Sequence, residues 1–385
     1  MNNLFTLRMP QGVYCGPHSL RMISDILSEN NVASVAIFTD KGVAASGLLT
    51  QLTDVIAAAN IPAVVYDDLP PEPAYTDVQK LLDRFLASGS DFILALGGGS
   101  VMDTAKLASA ASSNYCVKDL LDHPELAQKR VKSLMIPTTA GTGAEATPNA
   151  IVGVPERSVK VGIVNKNLIP DFVILDPEMI RSLPRALAAS TGVDALCHAV
   201  ECYTSKKATP FSDLFALEAL DMILSNIENA CNDPDDMEAK TKMLTGAFYA
   251  GIAITCSGTT AVHALSYPLG GTYHIPHGIS NAMLLAPVMR FNEPFCRPRF
   301  AKVYDRCIHS SKEGATESQK SEIVLERMIQ IVHNLDIPVS LSSFGVPKED
   351  LDKLVTAGMG VQRLLSNNMR PVTETDARNI YLSLL

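Results

Sequence analysis

Asp194 and His198 stand four residues apart in STGVDALCHAVECY (190–203), a spacing that puts both side chains on one face of a helix. A carboxylate and an imidazole projecting from an otherwise apolar helix need each other, solvent or a metal to offset their burial. On this stretch alone, a hydrogen-bonded core pair and a metal site explain the residues equally well. Two further histidines lie in the same apolar half of the chain, His263 in GTTAVHALSYPLGG and His277 in TYHIPHG. Three imidazoles and one carboxylate suit a divalent transition metal, with iron and zinc favoured by ligand type. Cys197 and Cys202 flank His198, but their spacing takes them off the Asp194/His198 face, so they are not counted as ligands.

A second chemistry is written around glycines. The turn Gly97-Gly98-Gly99-Ser100 follows the apolar run DFILAL and opens a helix-like stretch, 101–111. Glycines there let backbone amides approach a pyrophosphate, and the helix N-terminus adds partial positive charge. The turn is not GxGxxG, and a tight turn without a ligand is its competing reading. The segment Thr138-Thr139-Ala140-Gly141-Thr142-Gly143-Ala144-Glu145 strengthens the first reading, because its hydroxyls and amides can surround phosphate or ribose oxygens. Asp40, at the end of an earlier apolar run, is placed to accept from an adenosine ribose diol. An acid there disfavours a 2′-phosphate and so favours NAD over NADP. Asn149 and Lys160 complete this polar set.

These groups need elements to hold them. Apolar runs at 31–39, 61–68, 91–97 and 133–137 read as strands, and they alternate with helical patterns at 46–59, 78–87 and 101–111. That alternation predicts a parallel α/β sheet with crossover helices. Beyond Pro184 the pattern becomes helix after helix: 186–203, 210–229, 236–254, 259–269, 281–291, 296–309 and 319–335, with 312–321 as a solvated linker. The expected architecture is an α/β dinucleotide-binding domain, 1–184, followed by an all-helical metal-binding domain, 185–385.

Composition narrows the class. The chain has 385 residues, 47% hydrophobic and 19% charged, which is ordinary for a globular protein with a substantial core. A net charge of −9 without a basic run gives no electrostatic footprint for nucleic acid or an anionic membrane surface. No segment has the signature of a signal peptide or a membrane span, so a cytoplasmic location is expected. Eight cysteines without a CxxC pair read as reduced core residues rather than a disulfide framework.

Four ordered motifs, GGGSVMDTAK (97–106), PTTAGTGAE (137–145), LDPEMIRSLP…TGVDALCHAVECYTS (175–205) and VHALSYPLGGTYHIPHG (262–278), together resemble the iron-containing, group III alcohol dehydrogenase family. The resemblance implies a nicotinamide-binding α/β domain and a helical metal domain, an architecture shared with dehydroquinate synthase. It implies Asp194, His198, His263 and His277 as ligands, usually to Fe(II). Gly98, Ser100, Thr138, Thr139, Thr142, Asn149 and Lys160 fall on cofactor-contacting positions, Asp40 falls on the ribose-reading position, and Asp103 belongs to the first motif. Two positions depart from the family. Tyr267 replaces the histidine of the pattern HAxxHPLG, which puts the proton path in question, since a phenol with a pKa near 10 is a poor base at neutral pH. His274 stands where relatives often carry asparagine, and it is a candidate for proton relay or pocket lining.

The expected activity is hydride transfer between NAD(H) and a small primary alcohol, aldehyde or semialdehyde, with a divalent metal activating the oxygen. Fe(II) is the expected metal and Zn(II) its alternative; a homodimer or higher homo-oligomer is implied by the family. Competing readings are a hydroxyacid–oxoacid transhydrogenase with tightly bound nicotinamide and, from another class, a non-catalytic nucleotide-binding scaffold. Pocket residues are expected near Ile254, Cys256 and Tyr267. Arg290, Arg363 and Arg370 are the arginines that could reach a substrate carboxylate from a distance.

Overall fold

The computed structural model describes residues 4–157, 159–308 and 314–385. The chain separates into two compact units, Arg8–Leu183 and Pro184–Leu385, the second joined by the described residues 4–7. Among the described residues no helix is long and apolar enough to cross a membrane.

In the first unit the strands are β1 (Gly12–Cys15), β2 (Val35–Phe38), β3 (Ala63–Tyr66), β4 (Phe92–Gly97), β5 (Lys132–Pro137), β6 (Asn149–Val154), β7 (Val159–Val164) and β8 (Phe172–Leu175). Six of them form one parallel sheet in the order β1-β8-β5-β4-β2-β3, while β6 and β7 pair as a separate antiparallel hairpin. Its helices are α1 (Met22–Glu29), α2 (Lys41–Ala45), α3 (Leu48–Ala58), α4 (Tyr75–Ser88), α5 (Gly99–Ser109) and α6 (Val117–Asp122). The central strands are apolar on both faces because helices cover both. Ala36, Phe38, Ile93 and Ala95 enter one core cluster, and their alternate neighbours Val35, Ile37, Phe92 and Leu94 enter the other. The chain leaves β2 for β3 on one side and returns to β4 on the other, so the carboxyl ends of β2 and β4 flank the point where strand order reverses, the usual ligand position in such sheets.

The second unit holds α7 (Arg185–Tyr203), α8 (Pro210–Asn232), α9 (Met237–Ser257), α10 (Ala261–Tyr273), α11 (His277–Cys307), α12 (Glu317–Asn334), α13 (Leu351–Met359), α14 (Gln362–Leu365) and α15 (Glu374–Leu382). From Gly192 to Tyr203 every residue of α7 is buried. A helix buried all round must satisfy its polar side chains internally, which makes Asp194, His198 and Glu201 the informative residues of this unit.

Several expectations change. The helix expected at 46–59 is two helices, broken where Gly47 takes a left-handed conformation at φ 86°. The helices expected at 281–291 and 296–309 are one, α11, which carries Pro287, Pro294 and Pro298 within it. An interior proline costs about 3 kcal/mol in an isolated helix; here α11 packs along α7, α8, α10 and α12, and that burial offsets the cost. The residues at 309–313, the end of one expected helix and the start of the expected linker, lie outside the described residues. Strand β1, a half-buried strand at the sheet edge, the β6–β7 hairpin and β8 are additions to the four strands expected.

Candidate metal centre and dinucleotide loops

Helix α7 presents Asp194, α10 presents His263, and α11 presents His277 in its first turn. One ligand atom from each of these three lies within 4.8 Å of the others. Gly278 makes the approach of α11 possible: a Cβ there would stand 2.3 Å from the Ser190 carbonyl oxygen, one turn before Asp194 on α7. Asp194 Oδ1 is 3.5 Å from His263 Nε2, 3.7 Å from His277 Nε2 and 3.9 Å from His198 Nε2. Donors each ~2.1 Å from a tetrahedral metal are roughly 3.4 Å apart, so the spacing fits a divalent ion. His198 lies beside the three-residue cluster, its ring stacked on that of His263 at 4.5 Å.

Asn281, one turn beyond His277, tests that fit. Its Nδ2 is 2.7 Å from Asp194 Oδ1 and 3.2 Å from the Nε2 atoms of both His263 and His277. With both imidazoles presenting lone pairs, two amide hydrogens cannot serve three acceptors, whereas a cation can. The electrostatics agree. Burial alone would raise the Asp194 carboxyl, but His198, His277 and His263 outweigh it and hold the group far below the usual carboxylate range. Burial depresses His263, and the Glu201 and Asp194 carboxylates overcome that and lift it to about 9. A metal would replace the proton such an imidazole otherwise carries. Burial pushes the Cys197 and Cys202 thiols well up, consistent with their exclusion as thiolate ligands.

Glu201 and Asn281 were not singled out from sequence. Glu201 sits two turns past Asp194, and only the fold shows that its partner is His263 Nδ1. Tyr267 places its ring 6.1 Å from that of His277. Burial raises its phenol, and the positive charge of Arg363 pulls the other way. His274 ends α10 in a left-handed conformation, φ 55°, and is exposed. The ring of His277 also meets that of His263, at 5.4 Å.

In the α/β unit three adjacent parallel strands, β2, β4 and β5, end in Asp40, the Gly97–Ser100 turn and the Thr138–Gly143 loop. Gly97 pairs with Pro137 in register, and Thr39 Oγ1 donates to the Leu96 carbonyl at 2.8 Å, so the three carboxyl ends are tied together. Gly98 begins α5 without a side-chain cap, leaving the first amides of an 11-residue helix without helical partners. A Cβ on Gly99 would stand 3.0 Å from Thr142, so the two loops face each other at close range. Thr139 Oγ1 is buried without a hydrogen-bond partner among the described residues, the kind of donor a phosphate or ribose oxygen would engage. These features fit a dinucleotide.

The remaining residues are placed less uniformly. Asp40 caps α2, its Oδ1 accepting from Val43 N at 2.9 Å. Asp103 is committed to structure: Oδ1 pairs with the buried Lys106 at 2.8 Å and Oδ2 accepts from Ile151 N at 2.9 Å. Lys106 also donates to the carbonyls of Ala144 and Asn149, locking α5 to the Thr-rich loop and the hairpin. Asn149 starts β6, whereas Lys160 pairs in register with Gly153, nearer the hairpin turn. That separates the two by about 13 Å along the strands. Lys160 Nζ meets Glu72 at 2.5 Å.

Comparison with known proteins agrees with this pairing of sites. Residues 10–177 match the family profile described as iron-containing alcohol dehydrogenase, and residues 188–385 match that of the Fe-containing alcohol dehydrogenase family, C-terminal. The chain is 34% identical over 352 residues to a long-chain-alcohol dehydrogenase of Geobacillus thermodenitrificans, covering 90% of this chain and 88% of that one. It is 31% identical over 369 residues to the lactaldehyde reductase of Escherichia coli, covering 95% and 96%. The solved structure of an alcohol dehydrogenase from Oenococcus oeni superposes with a TM-score of 0.92 at 26% identity, covering 99% of this chain and 100% of that one. A carboxylate–histidine cluster on buried helices, in a chain whose other unit carries dinucleotide-type loops, thus has its explanation in descent: this chain belongs to the iron-containing alcohol dehydrogenases, NAD- and metal-dependent oxidoreductases acting on CH–OH groups.

Proposed function

We propose that the protein interconverts a small primary alcohol and its aldehyde or semialdehyde, using a metal held by Asp194, His263 and His277 with His198 as fourth ligand. In this reading residues 1–184 bind the nicotinamide cofactor and residues 185–385 hold the metal. Asp40 takes the adenosine ribose, and the Gly97–Ser100 turn takes the pyrophosphate. Thr138, Thr139, Thr142, Asn149 and Lys160 supply the remaining cofactor contacts, with Asp103 acting through Lys106 to hold the loops. Relatives named for long-chain alcohols and for lactaldehyde support primary alcohols and short aldehydes as the class to test.

When bound, the metal supplies Lewis acidity to the substrate oxygen and the nicotinamide supplies or accepts the hydride. The chain's own residues do the rest. Glu201 holds His263 as a ligand with Nε2 facing inward, and Asn281 braces Asp194 at the cluster's edge. Tyr267, its phenol raised by burial, acts at neutral pH as a hydrogen-bond donor rather than a base. His274, exposed at the end of α10, serves best as an exit for a proton already at the surface.

One observation carries the proposal: three ligand atoms from three helices converge within 4.8 Å in a buried setting. His277→Ala tests it, because His277 is the most exposed of the three and its loss spares the packing around α7. Metal content after desalting and NADH oxidation with short aldehydes should vanish together. A variant that has lost its metal and still turns over would sink the assignment.

Assembly and location belong to the same proposal. We expect a homodimer or higher homo-oligomer, supported by the open sheet edge at β3, where Val64 is 40% exposed; light scattering decides it. A cytoplasmic location is supported by four buried cysteines kept as thiols, Cys197, Cys202, Cys296 and Cys307.

A further inference from the structure

We infer that Glu72 competes with the cofactor for Lys160, and so sets how tightly the α/β unit binds a nicotinamide dinucleotide and how strongly it prefers NAD(H) to NADP(H). This rests on the cofactor reading above, in which Lys160 is a contact residue, and adds a specificity-determining residue to it.

Glu72 lies in the segment DDLPPEPA (67–74), which joins β3 to α4. That segment is fastened at both ends. Where the chain leaves β3, Thr39 N donates to the Tyr66 carbonyl at 2.9 Å and Asp68 bridges to Asp40, the residue proposed to take the adenosine ribose. At the far end Gly153 N donates to the Pro73 carbonyl at 2.9 Å, and Ala74 bridges to Gly153, the register partner of Lys160. Pro70, Pro71 and Pro73 stiffen the span. Between the last two, Glu72 is held in a left-handed conformation, φ 49°, which glycine or asparagine adopts at lower cost. The backbone at this position gives no reason for a glutamate. The side chain does: its Oε1 stands 2.5 Å from Lys160 Nζ.

Other cations of this unit are bound more firmly. Arg84 is held by Asp68 at 2.5 Å and lies over the Tyr66 ring. Lys106 is fully buried, with Asp103 and the Ala144 carbonyl as partners. Lys160 differs, because its partner is a carboxylate whose side chain is 43% exposed. An ion pair so open to water is weak, and phosphate oxygens are strong acceptors for an ammonium, so a dinucleotide can draw Lys160 away. Each phosphate contact of Lys160 then requires the ion pair to break. The Glu72 charge left behind repels the bound dinucleotide, and it repels NADP(H) more because of the 2′-phosphate.

The test measures dissociation constants of NADH and NADPH by nicotinamide fluorescence in wild type, Glu72→Gln, Lys160→Met and the double variant, all metal-loaded. Glutamine keeps the length of the side chain and an oxygen that accepts from Lys160, and removes only the charge. Glu72→Gln should bind NADH about 3-fold more tightly than wild type and NADPH by a larger factor, and the gain should be absent in the Lys160→Met background. Unchanged or weaker binding in Glu72→Gln overturns the inference, as does an equal gain with and without the Lys160 ammonium. If wild type binds neither cofactor, the cofactor reading fails, and calorimetric titration with inorganic pyrophosphate applies the same cycle to the pair by itself. Tighter pyrophosphate binding in Glu72→Gln that depends on Lys160 supports the competition; any other pattern overturns it.

Discussion

Glu201 grips His263 from the side away from Asp194 and His277. Its Oε2 meets His263 Nδ1, while Oε1 accepts from Thr260 N at 3.0 Å, Thr260 Oγ1 at 2.7 Å and Val262 N at 2.8 Å. A fully buried carboxylate is thus satisfied by the start of the very helix that carries His263. The arrangement fixes the tautomer that leaves Nε2 free for metal and raises the basicity of the ring.

Replacing Glu201 with Gln keeps the shape and removes the charge. Metal affinity, read by competition with a chromophoric chelator, should weaken by about 10- to 100-fold. A Glu201→Gln protein that holds metal as tightly as wild type would show that His263 is oriented by packing alone.

Asp40 offers a test of cofactor choice that spares the fold. Asparagine at this position still caps α2 through Val43 N, so Asp40→Asn changes charge more than stability. The preference for NADH over NADPH, as a ratio of kcat/KM, should drop in the variant because repulsion of a 2′-phosphate is relieved. An unchanged ratio would place the adenosine ribose elsewhere.

Glu145, in the Thr-rich loop, makes stability depend on pH. Burial raises its carboxyl from 4.5 to about 7, against a smaller opposing pull from Lys106. Between those values the folded chain retains a proton that the unfolded chain has released, so stability falls as pH rises from about 4.5 to about 7 and is flat above. The full span is on the order of 3 kcal/mol. Thermal unfolding of Glu145→Gln should lack this slope; a variant that parallels wild type across the window would assign the burden to another group.

Much of this protein was legible locally. The Asp194/His198 spacing announces a shared helix face because helical periodicity is a property of neighbouring residues. The glycine and threonine loops announce themselves because strand, turn and helix start are contiguous in sequence. The switch from alternating strands and helices to helices alone marks the change in architecture for the same reason.

What only the tertiary structure decided are relationships between distant segments. Nothing near Glu201 says that its partner is His263, since the two meet only when α7 and α10 pack. Asn281 reads as an ordinary polar residue of α11 until Asp194 and two histidines close around it. The three prolines of α11 suggest separate helices, and burial against its neighbours keeps it whole. Arg290 and Arg370 look alike as residues; ion pairs occupy the first and a phenylalanine ring the second. Side-chain type and short-range spacing are carried by the chain itself, but which groups share a burial site depends on how helices pack, and that is settled only by the whole core.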